Sequence, residues 1–186
     1  MSLREIHVLG SPVLRTETTP VAGVTDDLRR LVDDMFETMH AAQGIGLAAP
    51  QVGRLERVAV VQVDEDMLVL VNPEIVNPVG KERAEEGCLS IPDIYGDVER
   101  AARVTVRALD LEGKPFEREA SGLLARALQH EIDHLHGKLF IDYLSFLKRR
   151  GALARWEELK SQYPDLRRTL TLQDAPVADR SGGERR

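Results

Sequence analysis

Gln129-His130-Glu131-Ile132-Asp133-His134 contains the pattern H-E-x-x-H, and its helical reading organises the rest of the chain. At about 100° per residue, the two histidines lie roughly 40° apart on a helical wheel and roughly 6 Å apart along the axis. Two imidazoles so placed can converge on one ion. Glu131 lies on the neighbouring arc, where a carboxylate can take a proton from an activated water. Working outward, Leu124, Leu128, Ile132 and Leu135 form an apolar arc that buries a helix expected over about 122–136. Leu123 and Ala127 share the histidine face and give it an apolar, water-poor setting. Arg126, Gln129, Asp133 and His136 hold the remaining arc and are expected in solvent or behind the histidines. Two unpaired histidines on an apolar face require a reason. His136 points to the polar arc, and His7 and His40 have no partner pattern, so these three read as surface or helix-end residues.

A catalytic metal site takes three protein ligands and keeps a position open. The extended pattern H-E-x-x-H-x-x-G-x-x-H matches through Gly137 and then fails, because Phe140 stands at the third-histidine position. Cys88 is the single cysteine, so no disulfide within the chain is possible. It reads as a buried apolar residue, a reactive thiol or a metal ligand. A structural zinc would need four closed ligands, and no convincing fourth stands beside Cys88, His130 and His134.

Around this helix the pattern is α+β, with short antiparallel or mixed strands packed on a central metal-binding helix and a C-terminal helix. Thr25 or Asp26 can cap a first helix whose stripe is Leu28, Leu31, Val32, Met35, Phe36 and Met39. That helix is expected to stop before Gly44, where glycine tolerates the left-handed conformation. Strands are expected at 58–63, 68–71 and 104–109. Asn72-Pro73, Asn77-Pro78 and Gly113-Lys114-Pro115 are expected to be turns. A third helix is expected over about 145–163. Residues 1–168 form one expected domain, and 169–186 a flexible tail.

Composition narrows the functional classes. The 186 residues are 42% hydrophobic and 30% charged, the balance of a globular chain with a real core. The longest apolar runs are far too short to span a membrane. The first twenty residues show no continuous apolar region, so no secretory signal is expected and the cytoplasm is the expected compartment. A net charge of −6 argues against general binding of DNA or other nucleic acid. The stretch 143–168 is locally different, with seven Lys/Arg against three acids.

Three segments, in this order, resemble the peptide deformylase family. They are Gly44-Ile45-Gly46-Leu47-Ala48-Ala49-Pro50-Gln51, like the family's G-x-G-x-A-A-x-Q; Glu86-Gly87-Cys88-Leu89-Ser90, like its E-G-C-L-S; and Gln129 to His134, like its Q-H-E-x-D-H. The resemblance extends from about residue 5 to 160. It implies a metal-dependent hydrolase that removes the N-formyl group from formyl-methionine on nascent polypeptides. It implies Cys88, His130 and His134 as ligands of one divalent ion, Fe(II) natively, with zinc, nickel or cobalt possible in the purified protein. Chemistry alone suits zinc or iron about equally to this donor set. The resemblance further implies Glu131 as general base, with the Gln51 amide and the Leu89 backbone N–H as oxyanion donors. Gly44, Ile45, Gly46 and Gly87 would border the substrate, which pairs with the glycine-rich segment like an added strand. Ile45, Leu123 and Ala127 would wall a methionine pocket, with Arg126 near it in no fixed role.

The basic third helix, with Lys148, Arg149, Arg150, Arg155 and Lys160, reads as a solvated face. The resemblance implies that it docks on the ribosome through phosphate contacts. Two other readings of the whole chain remain: an H-E-x-x-H metallopeptidase, and a relative that is inactive or holds only a structural metal.

Overall fold

The computed structural model describes residues 2–171. In chain order its strands and α-helices are β1 (Ile6–His7), α1 (Asp26–Ala41), β2 (Gly46–Ala48), β3 (Val58–Val63), β4 (Asp66–Val79), β5 (Glu82–Cys88), β6 (Ile91–Arg100), β7 (Arg103–Leu109), β8 (Pro115–Ser121), α2 (Gly122–Leu135), α3 (Phe146–Leu159) and β9 (Arg167–Arg168). Five strands form one antiparallel sheet in the order β2-β3-β4-β7-β8, while β5-β6 and β1-β9 form two further antiparallel pairs. The fold is α+β, and α2 packs on β2, β3, β4, β7 and β8 at its centre.

Three cores fix this arrangement. The α1 stripe, Leu28, Leu31, Val32, Met35 and Met39, is buried against Leu47, Val58, Val60 and Val71. The apolar arc of α2, Leu124, Leu128 and Ile132, meets Val61, Val104 and Val106. On the other side, Ile91, Ile94 and Val98 of β6 pack with Leu139, Phe140 and Ile141, and Trp156 and Leu159 dock α3 onto that cluster. Each large apolar side chain buried in this way contributes about 1.5–3 kcal/mol. Helix α2 is thus held on the sheet, and its histidine face is turned toward the β5-β6 hairpin, where His130 meets Glu86.

Thr25 caps α1, its hydroxyl accepting from the Leu28 N–H at 3.2 Å. The helix ends differently from the sequence expectation. Gln43, not Gly44, takes the left-handed conformation, with φ 57°. The Gln43 N–H donates to His40 O and the Gly44 N–H to Met39 O, both at 2.9 Å, which closes the last turn. Gly44 serves another purpose: a Cβ there would lie 2.7 Å from Leu89 Cδ1, so glycine lets the two segments approach.

The Asn-Pro pairs are also corrected. Both lie inside β4, which runs through them for fourteen residues. Asn72 and Asn77 adopt φ near 50° where the β4-β7 register shifts, so they mark bulges rather than turns. The Asn72 side chain secures its bulge by accepting from the Val21 N–H and donating to Val21 O, each at 2.8 Å. Gly113, at φ 75°, does form the β7-β8 turn.

Packing continues beyond α3. Strand β9 pairs with β1, and Leu170 is buried with Ile6, Ala41 and Ala42. Of the expected tail, residues 172–186 lie outside the described residues.

Candidate metal centre

Cys88 is the last residue of β5, and His130 and His134 project from α2 toward it. Cys88 Sγ lies 3.3 Å from His134 Nε2, which lies 3.2 Å from His130 Nε2. The three donor atoms all fall within 4.8 Å of one another. One thiol and two imidazole nitrogens facing each other this closely are lone-pair donors in need of a shared cation, and the set suits a borderline-soft divalent ion.

The surroundings strengthen that fit. His130 Nδ1 donates to Glu86 Oε2 at 3.0 Å, which leaves Nε2 as the atom with a free lone pair. Glu86 is itself buried and also accepts from Arg100 Nε (2.8 Å), Arg100 Nη2 (2.9 Å) and Arg126 Nη1 (2.8 Å). Burial alone raises the Glu86 pKa, but hydrogen bonds from Arg100 and His130 outweigh it and hold the carboxyl down to about 2. Arg100 reaches Asp133 Oδ2 at 2.5 Å, and the Tyr143 ring covers its guanidinium at 4.6 Å.

Of the two settings expected for the polar arc of α2, solvent or behind the histidines, Arg126 takes the second, bonding the Glu86 that holds His130, and Gln129 is buried against Ala101. Arg126 also donates to Val98 O at 2.9 Å and Glu82 O at 2.8 Å, and Gln129 both donates to and accepts from the Ala101 backbone at 3.0 Å. Their polar ends meet backbone and carboxylate groups of the β5-β6 hairpin and the β6-β7 connection instead of water. His136 is exposed, as expected, and pairs with Glu17 at 2.7 Å.

Glu131 sits beside the three donors against the backbone of β2, and its Oε2 is buried with no hydrogen-bond partner among the described residues. Burial pushes its pKa up to about 7; the His130 charge opposes this and Glu86 adds to it. Gln51 is buried below the thiol. Its Oε1 accepts from the Ala48 N–H at 2.8 Å, so its amide nitrogen must face the site. That nitrogen donates to Ser90 Oγ at 3.1 Å and lies 3.7 Å from Cys88 Sγ.

A cavity of about 510 Å³ opens over these groups. Gly44, Ile45, Gly46, Gln51, Gly87, Cys88, Leu89, Leu123, Ala127, His130 and Glu131 all line it, while His134 lies behind. Ala127 is buried, but Leu123 is 56% exposed and Ile45 41%, so two of the three expected walls meet solvent rather than closing a dry pocket. Sequence reasoning assigned nothing to Ser90, Arg100 or Tyr143. Glu86 and Ser90 stood inside a quoted motif, whereas Arg100 carried no local signal.

Comparison with known proteins agrees with this geometry. A model of the polypeptide deformylase family matches residues 3–150. A peptide deformylase from Alkalilimnicola ehrlichii is 55% identical over 166 residues, covering 87% of this chain and 93% of its own. Two solved peptide deformylases are also similar. The Legionella pneumophila structure has a TM-score of 0.81 and 47% identity, covering 88% of this chain and 100% of its own. The Ehrlichia chaffeensis structure, in complex with actinonin, has a TM-score of 0.83 and 41% identity, covering 88% of this chain and 99% of its own. With the match spanning most of the described fold, the chain belongs to the polypeptide deformylase family, metal-dependent hydrolases that remove N-formyl groups from nascent peptides.

Proposed function

We propose that Cys88, His130 and His134 hold one divalent ion, natively Fe(II), and that Glu131, Gln51 and Leu89 carry out deformylation beside it. The observation that carries this reading is the convergence of the three donor atoms within 4.8 Å, next to a buried carboxylate. When bound, the ion supplies Lewis acidity that makes water nucleophilic near neutral pH. Glu131, with its pKa raised to about 7, accepts the proton that the attacking water loses and returns it to the leaving amine. The Gln51 amide N–H, turned to the site by Ala48, and the Leu89 backbone N–H stabilise the oxyanion that develops on the formyl group.

Strand β2 lies at a sheet edge, which supports substrate pairing along Gly44, Ile45 and Gly46, with Gly87 facing it across the cavity. Ile45, Leu123 and Ala127 then contact the methionine side chain. The basic face of α3 contacts the ribosome; Arg150 has no hydrogen bond or ion pair among the described residues, and Phe146 and Leu147 are exposed beside it. The working compartment is the cytoplasm. No helix among the described residues is long and apolar enough to cross a membrane. Residues 1–168 make up the catalytic domain.

The test is formate release from formyl-Met-Ala-Ser by protein prepared anaerobically with Fe(II), alongside protein loaded with zinc, nickel or cobalt. Release that a chelator stops and Fe(II) restores is the expected result. No release from any loaded form would overturn the reading, and cleavage of internal peptide bonds would favour the metallopeptidase. Actinonin, which the Ehrlichia chaffeensis relative binds, is expected to raise the thermal midpoint.

A further inference from the structure

Strand β9 delivers one charged side chain to the cavity that no motif of the sequence anticipated. Arg167 and Thr169 both turn to Glu5, at 3.1 and 3.3 Å. Residues alternate faces along an extended chain, so Arg168 and Leu170 share the opposite side. Leu170 anchors that side in the cluster of Ile6, Ala41 and Ala42. Arg168, whose backbone pairs with Ile6, is half-buried and lines the same cavity as Cys88, His130 and Glu131. Its guanidinium has no hydrogen bond or ion pair among the described residues. Asp93 lines the cavity too, and no ion pair joins the two among the described residues.

Position along the cleft follows from the neighbours. Leu170 packs at Ala41 and Ala42, whereas Glu131 touches Gly46. Arg168 therefore stands at the Ala42 end of the segment Ala42 to Gly46, with the reacting groups at the other. Ala42 caps α1 and Gln43 turns left-handed, so Gly44 to Gly46 is the stretch left to run beside a bound peptide, a length of about three residues at about 3.3 Å each. We infer that Arg168 is a specificity-determining residue that binds a carboxylate on the third residue of the formylated peptide, counting formyl-methionine as the first. A planar guanidinium whose donors are all free makes its strongest hydrogen bonds to a carboxylate. That carboxylate comes either from an acidic side chain or from the end of a short peptide.

The inference rests on the deformylase reading and is tested with four peptides: formyl-Met-Ala-Glu-amide and formyl-Met-Ala-Gln-amide, and formyl-Met-Ala-Ser as free acid and as amide. The readout is the ratio of kcat/KM within each pair, which is independent of how much protein is folded. The wild type is expected to favour the carboxylate about fivefold through KM, the scale of a partly exposed ion pair. Arg168→Ala is expected to bring the ratio close to one, and Arg168→Lys to keep part of it. A preference in the Glu/Gln pair assigns the carboxylate to a side chain; one confined to the Ser pair assigns it to a chain end, and either supports the inference. Ratios near one in the wild type, or unchanged in Arg168→Ala, overturn it while leaving deformylation intact. Formate from none of the four peptides would bring down both readings together.

Discussion

Gly46 and Glu131 are in contact: a Cβ built on Gly46 would lie 2.3 Å from Glu131 Oε1 and 2.7 Å from its Cδ and Cγ. A glycine on the first residue of β2 is therefore what allows the carboxylate to rest against the strand beside the three metal-site donors. Gly46→Ala must displace Glu131 or the strand. The expected outcome is a fall of about 100-fold or more in formate release, the scale of a misplaced general base, with metal content retained. A rate within a few-fold of wild type would show that Glu131 has room to move and that its seat is not critical.

The role of Glu131 itself is checked by Glu131→Gln. The amide preserves volume and leaves Cys88, His130 and His134 untouched, so bound metal should remain at one ion per chain. Formate release should fall about 10²–10⁴-fold, because the amide cannot take up the proton. Near-normal turnover would remove Glu131 from the mechanism.

The network behind His130 should act on folding and on metal binding separately. Arg100 is buried between Glu86 and Asp133, and Arg100→Met leaves both carboxylates without that partner. Breaking a buried pair from one side costs about 3–5 kcal/mol. At roughly 2–4 °C per kcal/mol for a chain of this size, the thermal midpoint should drop on the order of 10 °C. A shift of less than about 3 °C would mean that Arg126 and His130 suffice to hold Glu86.

Glu86→Gln probes the other end of the network. The His130 Nδ1–H then loses a charged acceptor, and metal affinity, read by competition with a chromophoric chelator, should weaken about 10–100-fold. Unchanged affinity would mean that Glu86 serves only the packing of the β5-β6 hairpin.

What was readable from sequence follows from how local each signal is. The α2 site was legible because the i, i+4 spacing of His130 and His134 and the apolar arc through Leu128 and Ile132 lie within one helix. The α1 cap at Thr25 and the 58–63 strand were legible for the same reason. Strand β5, Glu-Arg-Ala-Glu-Glu-Gly-Cys, has almost no β-forming side chains; its ladder with β6 is joined by Arg100 of β6 and Arg126 of α2, which converge on Glu86. Arg126 and Gln129 were left between solvent and a place behind the histidines because a wheel shows an arc but not what packs against it. The Asn-Pro bulges look like turns locally, and only the β4-β7 ladder carries the chain through them.

The ribosome-docking role of α3 needs a test that spares the core. Trp156 and Leu159 sit in the cluster with Ile91, Ile94 and Val98, so truncation after Phe146 would remove buried packing along with the charges. Most of the basic residues are already neutralised on the surface: Lys148 by Asp97, Arg149 by Asp142 and Arg155 by Glu158. Among the described residues, Arg150 is the cation on this helix left for an outside phosphate. Arg150→Glu is therefore expected to reduce co-sedimentation with ribosomes at low salt more than Arg155→Glu does, and to flatten the salt dependence by about one phosphate contact. Formate release from formyl-Met-Ala-Ser in the same preparations reports that the fold survives. Equal pelleting of Arg150→Glu and wild type across the salt series would remove α3 electrostatics from ribosome binding.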